Sequence, residues 1–161
     1  MAAHPNTSSG AHHTHDDMQP AASSSRFVNA GGLRLHYLDY GTAGRTPMLC
    51  VHGAAAHAHW FDFVASGFSA AYHVRSLDLR GHGNSAWSES LDYGHEHFAS
   101  DISEVVEKLD LRDFVLVGHS MGGMASLAYT ATYPGRVKKL VIVDARPRLP
   151  KEFVAKLRNY S

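Results

Sequence analysis

Much that would assign a chain to a class is scarce in this sequence. Lysine plus arginine and aspartate plus glutamate each number 15, which leaves no net charge at pH 7. The chain therefore has no long-range field to gather nucleic acid or an anionic membrane surface, and neither is expected as a partner. No apolar stretch is long enough to cross a bilayer. The one cysteine, Cys50, has no partner for an intrachain disulfide. Set inside an apolar run, it reads as a buried structural thiol and suits a reducing compartment. The N-terminus lacks the apolar core of a signal peptide, and Asp16 and Asp17 argue against a transit peptide, so the cytoplasm is the expected compartment.

What is present fits one domain in 161 residues. Residues 1–25 are rich in Ala, Ser, His and Pro without apolar periodicity, the composition of a disordered tail. With Met1 removed, Ala2-Ala3-His4 would offer a square-planar nitrogen set to Cu(II) or Ni(II). His4, His12, His13 and His15 nevertheless lack the spacing of a closed metal site, and a solvated tail without metal is the reading adopted.

Order is expected from about Arg26. The turn signal Asn29-Ala30-Gly31-Gly32 and the period-two alternation Leu33 to Leu38 predict an antiparallel hairpin at a sheet edge. Short apolar runs follow at Met48–Val51, Val74–Leu79, Phe114–Val117 and Leu140–Val143, each of the kind buried on both faces of a parallel sheet. Ile102, Val105, Val106 and Leu109 recur at helical spacing, with Asp101 and Glu104 expected at the helix front. Strands alternating with helices give the fold class α/β: a mostly parallel sheet flanked by helices, with its functional edge at the carboxyl ends of the strands.

At one such end lies Gly118-His119-Ser120-Met121-Gly122. A G-x-S-x-G sequence between a buried strand and a helix predicts a nucleophile elbow, a turn so sharp that the serine is strained and its hydroxyl stands above the sheet. Ser120 is the candidate nucleophile. After the strand Met48–Val51 comes His52-Gly53-Ala54-Ala55-Ala56, whose small residues let a backbone N–H point into the same space. The N–H groups of Ala54 and Met121 are the candidate oxyanion hole. His57 and Trp60 are candidate substrate-lining residues. Asp78-Leu79-Arg80-Gly81-His82-Gly83-Asn84-Ser85 reads as a tight loop whose polar groups satisfy its own backbone.

These three motifs, in this order at successive strand ends, resemble the α/β-hydrolase superfamily over residues 26–146, a match specific for fold and loose for substrate. The pattern is similar to the esterase, lactonase, peroxidase-like and carbon–carbon bond hydrolase branches. Dehalogenases and epoxide hydrolases carry Asp where this chain has Ser120. The resemblance implies attack of Ser120 on an acyl carbonyl of a small ester, lactone or ketone, an acyl-enzyme, its hydrolysis by water, and no cofactor.

The resemblance also implies a triad in the chain order Ser, acid, His. All 13 histidines precede Met121, so no residue after Ser120 is a candidate base. His119 points away from its neighbour, and His52 and His82 read as loop-structural. Asp144, after the strand Leu140–Val143, is the candidate acid that some members of the family place there. Residues 147–161 read as the start of a cap or lid helix. Two further βα units would need about 30 residues each, so the chain is expected to be the N-terminal portion of a hydrolase, final strands and cap missing, and inactive alone. The alternatives are a non-catalytic, receptor-like ligand-binding member, or one half of a split enzyme that pairs with a complementary C-terminal segment.

Overall fold

The computed structural model describes residues 19–145. The histidine-bearing part of the tail and the cap helix expected over 147–161 lie outside the described residues.

Strand β1 (Ser24–Ala30) and β2 (Leu33–Asp39) form the predicted hairpin. The turn takes φ of 56° and 82° at Gly31 and Gly32, the left-handed pair that matches the twist of a two-residue hairpin loop. The strand begins a little before the Arg26 expected from composition. Then come β3 (Thr46–Val51), a 3-10 turn at Ala58–Phe61, α1 (Asp62–Phe68), β4 (Tyr72–Leu77), α2 (His95–Lys108), β5 (Phe114–His119), α3 (Met121–Thr132) and β6 (Val137–Val143).

These strands make one mixed six-stranded sheet in the order β1-β2-β4-β3-β5-β6. The hairpin joins antiparallel through β2 and β4, and β4, β3, β5 and β6 run parallel. Alternation along each strand divides the core in two. Leu49, Val51, Phe114 and Leu116 face α2 and α3 with Phe98, Ile102, Val105, Ala125 and Tyr129. Met48, Cys50, Val115 and Val117 face α1 with Ala58, Phe61 and Ala65. Burial pushes the Cys50 thiol up to about 12, so it is a packing group and not a thiolate.

Two expectations need correction. The helix α2 starts at His95, ahead of the Asp101 front, because Phe98 extends the apolar stripe one turn earlier and Glu96 supplies the acid of the first turn. Strand β6 is not buried on both faces. Leu140 packs toward α3, but Val141 and Val143 on the opposite face are 44% and 46% exposed, because among the described residues nothing covers that face and no strand pairs beyond it.

Candidate functional site

Ser120 caps the N-terminus of α3 with φ 49° and ψ −115°. A non-glycine residue in that region carries strain of about 1–3 kcal/mol, so the surroundings must impose it. The Ser120 N–H donates to Val143 O at 2.9 Å, which extends the β5–β6 ladder through the turn, and the Met124 N–H donates to Ser120 O at 3.1 Å, which opens the helix. Strand pairing thus holds the residue on one side and helix pairing on the other. A Cβ on Gly118 would lie 2.6 Å from both Gly122 O and Gly123 Cα, so only glycine allows this crossing of strand and helix backbones.

Ala55, Ser120 and Asp144 all take positive φ (56°, 49° and 48°). They follow β3, β5 and β6, which are neighbours in the sheet, so the left-handed residues gather along one edge. The loop after β3 touches the elbow directly: a Cβ on Gly53 would lie 2.7 Å from His119 Nδ1 and 3.0 Å from Ser120 Cβ. Ala54, next along, is exposed beside this contact. Met121 carries the first N–H of α3, which has no intrahelical acceptor. The Gly53 backbone thus lies against Ser120, with Ala54 the next residue along that loop and Met121 the first of α3.

The other candidates divide. Trp60 joins the site: its ring stacks on His119 with centroids 5.0 Å apart and planes 12° from parallel. His57 meets His59 edge-on at 5.7 Å. Asp144 ends β6 at the same edge as Ser120, exposed, and bonds no histidine among the described residues.

Two histidines near the site, His52 and His82, are committed elsewhere. The fully buried His52 accepts the Leu79 N–H on Nε2 at 3.1 Å and donates from Nδ1 to Gly53 O at 2.8 Å, which together require the neutral ring. Burial accordingly holds its pKa below the usual histidine range, in spite of the Gly53 bond. His82 donates to Arg80 O at 3.0 Å and packs on His52. The His119 Nδ1 is buried without a partner. None of these rings bonds the Ser120 hydroxyl, and among the described residues no group of three or more His, Cys, Asp or Glu could hold a metal.

The Asp78–Ser85 loop was expected to satisfy its own backbone, and His82, Asn84 and Ser85 do so, but Asp78 and Arg80 reach out to other elements. Asp78 accepts the N–H of Ala58 at 2.6 Å and of Asn84 at 3.0 Å. Arg80 forks onto Asp101 of α2 at 2.7 and 2.6 Å. What the sequence did not disclose was the Gly53 contact and the Trp60–His119 stack. A glycine directly after a strand-ending histidine was the available signal for the first, and the second joins residues too far apart in sequence to be paired.

A mixed sheet with left-handed residues lined along the carboxyl ends of parallel strands is an α/β architecture of the hydrolase-fold type. The family model described as alpha/beta hydrolase fold matches residues 46–160, and the chain belongs to that family. It is 36% identical over 117 residues to N-formylmaleamate deformylase of Pseudomonas putida, covering 73% of this chain and 43% of that protein. It is 39% identical over 128 residues to a non-heme haloperoxidase of Rhodococcus erythropolis, covering 76% of this chain and 45% of the other. Among solved structures, E-2-(acetamidomethylene)succinate hydrolase superposes with a TM-score of 0.74 at 30% identity, over 81% of this chain and 48% of its own. The chain thus spans less than half the length of each of these relatives. No helix among the described residues is long and apolar enough to cross a membrane.

Proposed function

We propose that the whole protein is a serine hydrolase that cleaves a small, fairly apolar ester, lactone or diketone-like substrate by acyl transfer. Ser120 attacks the carbonyl, and the Ala54 and Met121 N–H groups hold the oxyanion. The observation that carries this reading is the positive φ of Ser120 at a strand–helix junction, with the Gly53 backbone packed against its Cβ. Relatives named as a deformylase and a hydrolase favour hydrolysis. Epoxide opening is not proposed, because the resemblance puts Asp in those branches where this chain has Ser120.

A neutral serine hydroxyl needs an adjacent base to act. In this reading the base is a histidine from a segment matching the half of the relatives that this chain does not cover, and Asp144 is an acid that could orient it. The chain alone then turns over little or nothing at Ser120. The site needs no metal or organic cofactor, and buried Cys50 suits the cytoplasm.

Hydrolysis of a 4-nitrophenyl ester by the whole protein tests the reading. Ser120→Ala should lower kcat by about 10⁶-fold, as loss of a triad nucleophile does. Retained activity in that variant sinks it. Mixing the chain with a complementary C-terminal segment should restore hydrolysis that neither piece has alone.

A second reading, a ligand-binding member without turnover, has one observation in its favour: among the described residues no histidine bonds the Ser120 hydroxyl. Saturable ligand binding to the whole protein with no hydrolysis would select it.

A further inference from the structure

A different serine in this chain has the base that Ser120 lacks. Ser25 Oγ on β1 lies 2.8 Å from Nε2 of His36 on β2, and His36 Nδ1 lies 2.7 Å from Asp78 Oδ2. His36 faces Phe27 across the ladder, so Ser25, two positions along β1, lies diagonal to it on the same face.

The partners place one proton, and the roles that follow are those of the neutral His36 ring. Asp78 already accepts the Ala58 and Asn84 N–H groups and stays an acceptor, so the imidazole proton sits on Nδ1 and points at it. Nε2 then carries a lone pair, and the Ser25 O–H donates into it. His36 and Asp78 are 1% and 2% exposed, whereas Ser25 is open to solvent. An exposed hydroxyl, a buried imidazole in the receptive tautomer and a buried carboxylate behind it are the order of roles that activates a serine.

The backbone adds a donor. The His36 N–H donates to Ser85 Oγ, and its carbonyl accepts the Asp78 N–H, so both polar groups of His36 face β4. Opposed residues of an antiparallel pair turn their polar groups in matching sense. Those of Phe27, and of Ser25 two residues away, therefore point out from the sheet. Because β1 is the outer strand, the Ser25 N–H is a free donor beside its own hydroxyl among the described residues. Phe27 offers a half-open ring 5.0 Å from the His36 ring, with the Arg34 guanidinium 3.4 Å over it.

We propose that Ser25, His36 and Asp78 form a second nucleophilic site, separate from the elbow, that is acylated by small aryl esters. The exposed part of the Phe27 ring, held between His36 and Arg34, gives the aryl group an apolar contact, and Arg34 a cation near a departing phenolate. Ser25 Oγ forms a bond to the acyl carbon. Its proton passes through His36 Nε2 to the phenolate, which leaves as the phenol. Water then attacks the acyl-serine, giving the carboxylic acid and restoring the Ser25 hydroxyl.

The test uses the 161-residue chain. It is treated with 4-nitrophenyl acetate, or with an alkyl fluorophosphonate, and the adduct is mapped by peptide mass spectrometry. The adduct is expected on Ser25. Ser25→Ala should slow 4-nitrophenol release at least about a hundredfold, the lower reach of general-base catalysis by a positioned side chain. Ser24→Ala, one residue away on the opposite face, should leave the rate unchanged. Equal release from wild type and Ser25→Ala overturns the proposal, as does an adduct found only on a lysine, only on Ser120, or nowhere. Labelling of Ser120 alone would overturn the second site while supporting the elbow reading, so the two stand or fall separately.

Discussion

Glycines in this chain differ in what a methyl group would meet, and that difference ranks their substitutions. At Gly118 the added Cβ would meet backbone atoms of the following helix, Gly122 O and Gly123 Cα, both at 2.6 Å. Backbone cannot rotate away, so Gly118→Ala should cost 3 kcal/mol or more, roughly the top of the overpacking range. At Gly53 the nearest atom belongs to the His119 side chain, which can move only by breaking its stack on Trp60. Gly53→Ala should therefore cost about 1–3 kcal/mol. Gly67, inside α1 with nothing within 4 Å, has no such constraint. Gly67→Ala should stabilise by about 0.4–1 kcal/mol. Urea unfolding of the three variants checks the order, and a Gly118→Ala protein as stable as wild type would refute the close-approach account.

Two buried or half-buried ionisable residues set the acid side of the stability profile. His52 has a pKa lowered by burial, so the unfolded chain binds its proton more readily than the folded one. Its contribution is fully present above the unfolded value of about 6.5 and shrinks as pH falls below it. Burial raises the Asp39 carboxyl, but the His73 and Gly41 hydrogen bonds and the Arg75 charge outweigh that and hold it below 3.8. Its contribution is present above about pH 4 and is lost on further acidification. Stability should thus fall in two stages on the acid side. His52→Gln, which can keep one of the two hydrogen bonds without titrating, should flatten the upper stage only.

Among the elements, α2 is tied to the sheet by an ion pair as well as by its apolar face. The Arg80 fork onto Asp101 is buried, with side chains 9% and 1% exposed. Removing one member of such a pair leaves an uncompensated charge, so Asp101→Ala should cost about 3–5 kcal/mol, whereas exchanging the pair for well-packed apolar residues should cost far less. Thermal unfolding of the single and double variants separates the two effects. The element boundaries show why some features were legible in sequence and others were not. Met48–Val51 and Phe114–Val117 read correctly as strands because both faces of each meet a helix layer, so the whole run is apolar. The start of α2 was misplaced because Phe98 is its sole large apolar residue before Ile102. Ser120 was legible because its neighbours in sequence impose the turn. The Ser25–His36–Asp78 chain was not, since it joins residues 11 and 42 positions apart and depends on strand register.

For the whole molecule, the balance of covered and uncovered surface decides how the chain behaves in solution. The face of β5 and β6 beside α1 carries an apolar groove of about 340 Å³, lined by Phe61, Phe68, Val117, Val141 and Val143 among others. Its floor ends at β6, whose outer backbone groups have no partner strand among the described residues. An unpaired strand edge beside an apolar face is a template for pairing with another chain. The chain on its own should therefore self-associate as its concentration rises, and light scattering or sedimentation should show it. Val141 and Val143 are about half exposed already, so little apolar burial is lost when both are made polar. The double variant Val141→Lys, Val143→Glu should shift the distribution toward monomer while changing unfolding stability by no more than about 0.5 kcal/mol per site, as for surface substitutions generally. A wild-type chain that stays monomeric at all accessible concentrations would show that something else shields this face.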